Sequence, residues 1–491
     1  MALTINRGLA LRAGMWSAVE SGGLSMLSFA SLVAFSRLLS PADFGVFAVA
    51  LSTIEIVALL PNMMFHDALI QREDCNDRHE GTASLLSGAI AIVICAGCWT
   101  AAPYYSRLVN DPRAGAVLGV LSIGLLFAAP ITPIITRQKR QFGFRLLAIR
   151  SLTGRLIGAL VGLIAAIAGV GVWSLVIQWV AMQAIGSLML IVTVDRRPRP
   201  CFDRQAAAEL LRFGLPALAA LFAGFAMRRV MTIAAGILLG AQATGMLNLA
   251  SRLVDTFWSV ASTAVSQVAL STLTALRRDA PRQRQAYLKA VHLAVTLFFP
   301  AFAGIAVVAP DLIRLLFGER WVEAAPLASG LALTVLLPAV RLFMPPYLTA
   351  LGRPSSLFRV NAATLAIFVA AIALLKPNST LNMVILLAAT ECLSIALYVR
   401  VLLKSSGISA IDHIRSIAGP AFSTVAMAAI IVPVYSWASQ RLDAWLTLIV
   451  VGSVGAAVYL AIAVLVDPAV ANAARQSLRS LTRRRQPEPD L

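Results

Sequence analysis

The stretch RLLSPADFG, Arg37–Gly45, decides how this chain is organised, because it separates two long apolar runs. The run before it ends at Arg37, and the run after it carries one carboxylate, Glu55, near its middle. Serine, proline, aspartate and glycine favour turns, so the stretch predicts a short connection between two helices. About 20 apolar residues on each side suffice to cross roughly 30 Å of hydrocarbon, so we expect both helices to span a membrane.

The same pattern returns 200 residues later, in LLGAQATG, Leu238–Gly245. The register holds without a gap and places Asp255 at the position of Glu55. The register runs from Arg12 against Arg212 to Glu55 against Asp255, and identical residues within it include Gly14/Gly214, Ala34/Ala234, Leu38/Leu238, Leu39/Leu239, Gly45/Gly245 and Ala50/Ala250. We interpret the match as an internal duplication.

Composition defines the class of protein. Of 491 residues, 59% are hydrophobic and only 13% are charged, with a mean hydropathy of +0.81. Apolar stretches of spanning length recur from end to end, which predicts an all-α polytopic membrane protein. About fourteen transmembrane helices are predicted, at residues 14–36, 44–65, 82–102, 115–135, 152–170, 173–194, 213–236, 244–267, 290–309, 326–350, 360–375, 381–403, 417–437 and 445–466.

The net charge of +18 would suggest nucleic-acid binding in a soluble protein. Here the basic residues concentrate in alternate connections between the spans, as the positive-inside rule predicts. We therefore expect no nucleic-acid partner, an even number of spans, and both termini in the cytoplasm of a bacterial inner membrane.

The duplication sets the predicted domains. Residues 1–200 form an N-terminal lobe of spans 1–6, and residues 201–404 form a C-terminal lobe of spans 7–12. Six spans is an even number, so the two pseudo-symmetric lobes share one orientation. Residues 405–466 add two further spans, and residues 467–491 form a basic cytoplasmic tail that contacts anionic lipid.

Familiar chemical sites are missing from the sequence. It has no GxxxxGK[ST] loop and no Ser-His-Asp set, and its four histidines are scattered without an HExxH motif. Cys95 and Cys98 have CxxC spacing but lie inside an apolar span without a second pair, so we interpret them as packing residues. We expect no catalytic residues, no metal and no cofactor, apart from coupling to a proton or sodium ion.

Ionisable residues inside the spans are the informative ones, because each costs about 2.5–3.5 kcal/mol at the centre of a membrane helix. They are Glu20, Glu55, Arg155, Arg228, Arg229, Arg252, Asp255, Arg341 and Glu391. Arginine suits phosphate because its planar guanidinium donates paired hydrogen bonds. Several arginines at membrane depth therefore predict a cavity for an anionic, phosphate-bearing substrate.

Four arginines are the predicted substrate contacts. Arg228 and Arg229 are adjacent, so they point about 100° apart and cannot both face lipid. Arg252 lies three residues before Asp255 on one helical face, which fits either an intrahelical ion pair or two cavity residues. Arg341 lies among Pro338, Pro345 and Pro346, which suits a bent, ligand-contacting helix.

The acids and the remaining arginine leave alternatives open. Glu55 is either a proton carrier or a counter-ion for a nearby arginine, and Asp255 is its counterpart in the second repeat. Glu20 and Glu391 are weaker candidates for a coupling or counter-ion role. Arg155 is close enough to the cytoplasmic end of its span for the side chain to reach the membrane interface.

At this point the sequence resembles a known family. RLLSPADFG resembles the signature between the first two helices of Wzx-type polysaccharide flippases, and FGERW, Phe317–Trp321, resembles their motif after the ninth helix. These proteins belong to the multidrug/oligosaccharidyl-lipid/polysaccharide exporter superfamily. The resemblance implies alternating access around a cationic cavity. It also implies that a polyprenyl-diphosphate-linked oligosaccharide moves from the cytoplasmic to the periplasmic leaflet, with membrane lipids and polysaccharide polymerase or export machinery as partners.

Three other functions compete with this one. A drug/cation antiporter of the same superfamily predicts a cavity dominated by acids. A membrane glycan polymerase or ligase predicts catalytic residues in a large outward loop, and the longest outward segment expected here is only about residues 310–325. A non-transporting scaffold predicts that the in-span charges are mutually paired and replaceable.

Overall fold

The computed structural model describes residues 7–72, 74–275 and 279–472, with the side chains of all of these except 7–11, 220, 263–275 and 354. Within these ranges the regular structure is helical and contains no strand. The helices are α1 (Arg7–Leu38), α2 (Pro41–Val57), α3 (Leu59–Gln71), α4 (Asp77–Val109), α5 (Pro112–Ala128), α6 (Thr132–Arg140), α7 (Phe144–Ile167), α8 (Trp173–Thr193), α9 (Arg204–Ala275), α10 (Ala280–Phe317), α11 (Ala325–Arg341), α12 (Met344–Ala350), α13 (Pro354–Leu375), α14 (Thr380–Ser406), α15 (Ala410–Ala438) and α16 (Ala444–Val466). The predicted all-α polytopic class is confirmed.

The predicted count of fourteen spans is not confirmed. Among the described residues, 12 helices are long and apolar enough to cross a membrane, and the pair α5 and α6, bent by 46°, gives a thirteenth. The difference arises at the predicted spans 7 and 8, which both lie in α9. The apolar part of α9 is a single helical stretch, Leu221–Ser262, of 42 residues. At 1.5 Å per residue this stretch is about 63 Å long, twice the hydrocarbon thickness. Gly240 interrupts it with φ 82° and ψ 178°.

The turn at the signature stretch is stabilised by its own side chains. Ser40 caps α2 by accepting a hydrogen bond from the backbone N–H of Asp43, whose carboxylate accepts one from the backbone N–H of Ser40. Asp43 also forms an ion pair of 2.8 Å with Arg113 at the start of α5. The Ser-x-x-Asp spacing is the sequence sign of this capping box, so the signature defines a helix start.

Arg113 links a second acid to this corner. Asp111 caps α5 and accepts hydrogen bonds from the backbone N–H, the Nε and the Nη2 of Arg113. Burial by itself raises the pKa of Asp111, but the hydrogen bonds and the charge of Arg113 outweigh it and hold the pKa below its ordinary value. The corner therefore favours an ionised Asp111.

The two predicted repeats meet at their shared glycine. A Cβ atom on Gly45 would overlap the backbone carbonyl group of Ala241, and a Cβ atom on Gly245 would overlap that of Pro41. These two contacts join corresponding positions in the 200-residue register. Such close approach of two helices requires the absence of a side chain at both positions.

The segment predicted to face outward, at about residues 310–325, is made of the end of α10 and a second, shorter helix. Helix α10 continues through Pro310 to Phe317, and a 3-10 helix follows at Glu319–Ala324. The outward segment predicted at 310–325 is therefore largely helical. Gly318 turns the chain between the two helices with φ 95°, and Trp321 is fully buried. The FGERW motif thus supplies a turn residue and an anchoring aromatic side chain.

Contacts divide the chain into two compact units. The first unit contains Met1–Thr256 and Asn361–Leu386, and the second contains Phe257–Val360 and Leu387–Leu491. The lobe boundaries inferred from the sequence stay a prediction. Most of the predicted basic tail, 473–491, lies outside the described residues.

Candidate functional site

A cavity of about 270 Å³ lies within the first unit. Side chains from α1, α2, α7, α8 and both halves of α9 line it. Its charged lining residues are Glu55, Arg155, Arg228, Arg229, Arg252 and Asp255. Five of the residues predicted from their membrane depth therefore come together at one place, and Arg155 joins them.

Close packing of α7 on α8 forms one side of the cavity. Gly154, Gly158 and Gly162 recur every four residues along α7. A Cβ atom at each would lie 2.8–2.9 Å from a backbone oxygen of α8. Small residues at this spacing let two membrane helices approach closely. This packing positions Arg155 of α7 and Gln178 of α8 at the same cavity.

The two adjacent arginines of α9 each form an ion pair with a different acid. Arg228 donates to Asp255 at 2.6 Å, and the Nε of Arg229 lies 2.6 Å from Glu55. The guanidinium of Arg229 also lies 4.6 Å from the ring centre of Phe225. The acids at corresponding positions of the two repeats thus serve as counter-ions for neighbouring arginines. For Glu55 this arrangement agrees with the counter-ion alternative.

Arg252 has a neutral partner. Its Nε donates to Asn248 Oδ1 at 3.0 Å, one turn earlier on the same helix. The alternative of an intrahelical pair with Asp255 is not observed, because Asp255 bonds to Arg228 instead. Arg252 lines the cavity with its guanidinium charge unpaired by any described carboxylate within 4.0 Å.

Arg155 lines the cavity, whereas the sequence analysis predicts that its side chain extends to the membrane interface. Its Nε donates to Ser28 Oγ of α1 at 3.1 Å, its Nη2 also bonds to that oxygen, and its Nη1 lies 3.3 Å from Met182 Sδ of α8. A signal for this position exists in the sequence. Arg155, Gly158 and Gly162 share one helical face at i, i+3 and i+7, and glycines at that spacing indicate a face packed against protein.

The other predicted site residues lie elsewhere. Arg341, at the end of α11, forms an ion pair with both carboxylate oxygens of Glu391 of α14: its Nη2 donates to Oε2 at 2.8 Å and to Oε1 at 3.1 Å. Its guanidinium also faces the ring of Tyr398. Both members belong to the second unit and neither lines the cavity. Glu20 accepts a hydrogen bond from Ser151 at 2.7 Å and is also absent from the lining.

Possible metal ligands do not cluster in the described part of the chain. No group of three or more His, Cys, Asp and Glu side chains there could hold a metal ion. Cys95 and Cys98 are free thiols. The cavity offers guanidinium, hydroxyl and amide groups, which suit binding of a polar anion.

Relatives of known role match most of the chain. The succinoglycan biosynthesis transport protein ExoT of Rhizobium meliloti (strain 1021) is 27% identical over 363 residues, covering 73% of this chain and 72% of that protein. The lipopolysaccharide biosynthesis protein WzxC of Escherichia coli (strain K12) is 21% identical over 363 residues, covering 73% of both.

Solved structures share the fold. The lipid II flippase MurJ, in an inward closed conformation, has a TM-score of 0.76 at 12% identity, covering 92% of this chain and 98% of that one. An inward-facing multidrug transporter of the MATE family has a TM-score of 0.61 at 15% identity, covering 79% and 96%. At these identities the likeness concerns the fold alone.

The family model settles membership. The model described as polysaccharide biosynthesis protein matches residues 34–326, which is more than half of the chain and begins just before the signature stretch. The resemblance read from the two motifs is confirmed. This multi-pass membrane protein therefore belongs to the polysaccharide biosynthesis protein family.

Proposed function

We propose that this protein is a flippase that moves a polyprenyl-diphosphate-linked oligosaccharide repeat unit from the cytoplasmic to the periplasmic leaflet of a bacterial inner membrane, for polysaccharide biosynthesis and export. The main support for this proposal is the cavity, which four arginines and two acids of the membrane-spanning helices line. The transport and polysaccharide biosynthesis roles of the relatives, together with the transporter fold, support the proposal.

The physical task explains why such a cavity is needed. A diphosphate and several sugars would lose many hydrogen bonds in hydrocarbon, at a cost of several kcal/mol for each unpaired polar group. A polar cavity replaces those bonds while the lipid tail stays in the bilayer. Of the four arginines predicted from the sequence to bind the diphosphate, Arg228, Arg229 and Arg252 line this cavity. Arg341 lies in the second unit, paired with Glu391.

The size of the cavity requires movement. Ligand pockets commonly enclose about 300–1,000 Å³, and the cavity at about 270 Å³ lies near the lower limit of this range. It has room for a diphosphate but is too small for a whole repeat unit. Helices must separate to admit the sugars, as alternating access requires. Coupling to a proton or sodium ion at Glu55 or Asp255 is the proposed energy source.

Other functions fit less well. A drug/cation antiporter shares the fold class, but its cationic substrates favour a cavity dominated by acids, and arginines outnumber acids here. A membrane polymerase or ligase needs a catalytic outward segment, and the segment at 310–325 is instead helical and anchored by Trp321. The lipid-linked oligosaccharide, membrane lipids and a polysaccharide polymerase or export complex are the proposed partners.

Depletion of the protein tests the function. We expect completed lipid-linked repeat units to accumulate on the cytoplasmic leaflet, as measured by a leaflet-resolved assay in depleted cells. Build-up on the periplasmic leaflet would mean that translocation is intact and that the protein acts later, in polymerisation or ligation. Re-expression of the natural sequence should clear the build-up, whereas an Arg252→Ala variant present at the same level should not.

A further inference from the structure

The cavity contains more positive than negative charge, and the excess lies on two residues. Its four arginines face two carboxylates. The ion pairs to Asp255 and Glu55 neutralise Arg228 and Arg229. Among the described residues, no carboxylate lies within 4.0 Å of the guanidinium of Arg155 or Arg252. These two arginines therefore carry the net charge of the cavity.

Both uncompensated arginines keep hydrogen-bond donors for a ligand. An arginine has five N–H donors, and Arg155 uses three on Ser28 and Met182. The Ser28 hydroxyl donates to the carbonyl of Leu24 at 2.5 Å, so it meets Arg155 as an acceptor. Toward the described residues, Arg252 donates only from its Nε, to Asn248. The neutral partners thus hold both guanidinium groups in place without cancelling their charge.

The two charges also act on each other. Arg155 and Arg252 line the same cavity, so their positive charges repel each other. Unpaired like charges at membrane depth are costly, and an anion that reaches both guanidinium groups removes the repulsion and supplies the missing counter-charge. An anion with two negative charges, one at each end, satisfies the site better than a single small anion.

We propose that Arg155 and Arg252 form the anion subsite of the cavity and bind the two phosphates of a diphosphate diester. Arg228 and Arg229 position α9 through Asp255 and Glu55 and contribute no free charge. This assignment rests on the proposed function. It adds Arg155 to the substrate contacts and separates the four cavity arginines into two ligand residues and two structural ones.

Pyrophosphate binding to the purified full-length chain in lipid nanodiscs tests the assignment. Isothermal titration with inorganic pyrophosphate should show about 10- to 100-fold weaker binding for Arg155→Ala and for Arg252→Ala, because each removes charge-assisted hydrogen bonds. The natural chain should prefer pyrophosphate to inorganic phosphate, and Arg155→Ala should lose that preference. Arg155→Lys keeps the charge but not the planar guanidinium, so its affinity for pyrophosphate should lie between those of the natural chain and Arg155→Ala.

Two controls isolate the charge. The double variant Glu55→Gln/Arg229→Gln removes an arginine together with its counter-ion, so the two unpaired arginines remain and binding should weaken less than threefold. Arg441 follows α15, and its guanidinium packs over the ring of Trp437. The Arg441→Ala variant should bind pyrophosphate as tightly as the natural chain. Elution volume and thermal unfolding verify that each variant is folded.

Several outcomes would overturn the assignment. They are no pyrophosphate binding by the natural chain, an Arg155→Ala variant that binds as tightly as the natural chain, or a double variant that loses as much affinity as Arg155→Ala. Each would leave the flippase proposal standing if depletion still causes cytoplasmic build-up of lipid-linked repeat units. Conversely, periplasmic build-up would end the flippase proposal whatever the binding series shows.

Discussion

Two groups of arginines lie in the membrane-spanning helices, and their partners differ. In the cavity, Arg155 and Arg252 are held by a hydroxyl, a thioether and an amide. In the second unit, Arg341 donates to both carboxylate oxygens of Glu391 and faces the ring of Tyr398. The neutral partners in the cavity leave the positive charge available to a ligand, whereas Glu391 neutralises the charge of Arg341. Membrane depth alone therefore does not identify a ligand-binding arginine; the chemistry of its partner does.

The largest loss of stability is expected at Arg341, whose charge is neutralised by Glu391. Arg341→Ala leaves Glu391, whose side chain is only 12% exposed, without its counter-ion. Breaking a buried ion pair on one side costs about 3–5 kcal/mol, so the thermal unfolding temperature in detergent should fall. The double variant Arg341→Met/Glu391→Met should recover most of the stability and keep transport.

The comparison fails if this double variant is stable but transports nothing. Arg341 would then contact substrate, as its position among prolines suggested. Arg353→Ala, in the turn between α12 and α13, is the matched control for loss of an arginine outside an ion pair, and it should leave unfolding unchanged.

A medium effect is expected from freeing a paired cavity arginine. Glu55→Gln removes the counter-ion of Arg229 and adds one unpaired charge to the cavity. Attraction for an anion should rise, and pyrophosphate should bind about fivefold more tightly, equal to roughly 1 kcal/mol. Isothermal titration against the natural chain measures the gain. Unchanged affinity would show that Arg229 already contributes its charge to the ligand.

The same variant examines the proposed coupling. If Glu55 carries the coupling ion, flipping in proteoliposomes should respond to ionophores in the natural chain and cease to respond in Glu55→Gln. Transport that ignores both the ionophore and the substitution would remove the coupling role from Glu55.

The smallest effect is expected at an ion pair outside the spans. Hydrogen bonds from Arg113 hold the pKa of Asp111 below the ordinary 3.8. A lowered folded-state pKa contributes stability above pH 3.8, and this contribution is lost as the pH falls through the lowered value. Thermal unfolding between pH 6 and pH 3 should show a slight decline that Asp111→Asn removes. An identical decline in the variant would assign the acid sensitivity to other carboxylates.

Much of the architecture was readable from local patterns. Apolar runs of spanning length gave helices whose described bounds agree with most predicted spans, because hydrocarbon leaves few alternatives to a helix. The repeated glycine marked a real close approach, Gly45 with Ala241 and Gly245 with Pro41. The span count was less secure, because hydropathy does not show how a 42-residue helical stretch bends at Gly240.

The site was only partly readable. Membrane depth selected Glu55, Arg228, Arg229, Arg252 and Asp255, which the fold brings to one cavity. The same criterion selected Arg341, which the fold pairs with Glu391, and it undervalued Arg155. The position of a residue within a membrane span indicates the free-energy cost of its charge. It gives no information on which neighbouring residue compensates that charge.

The sequence by itself determined the membrane class, the helical segments, the repeat and the family, since each follows from composition, periodicity or a contiguous motif. Tertiary structure decided which charges neutralise one another. Arg228 and Arg229 differ by one position, yet they meet acids 27 and 174 residues away. Such pairings depend on helix rotation and crossing, which long-range packing sets. The distinction between a structural and an available arginine therefore arises only in the folded molecule.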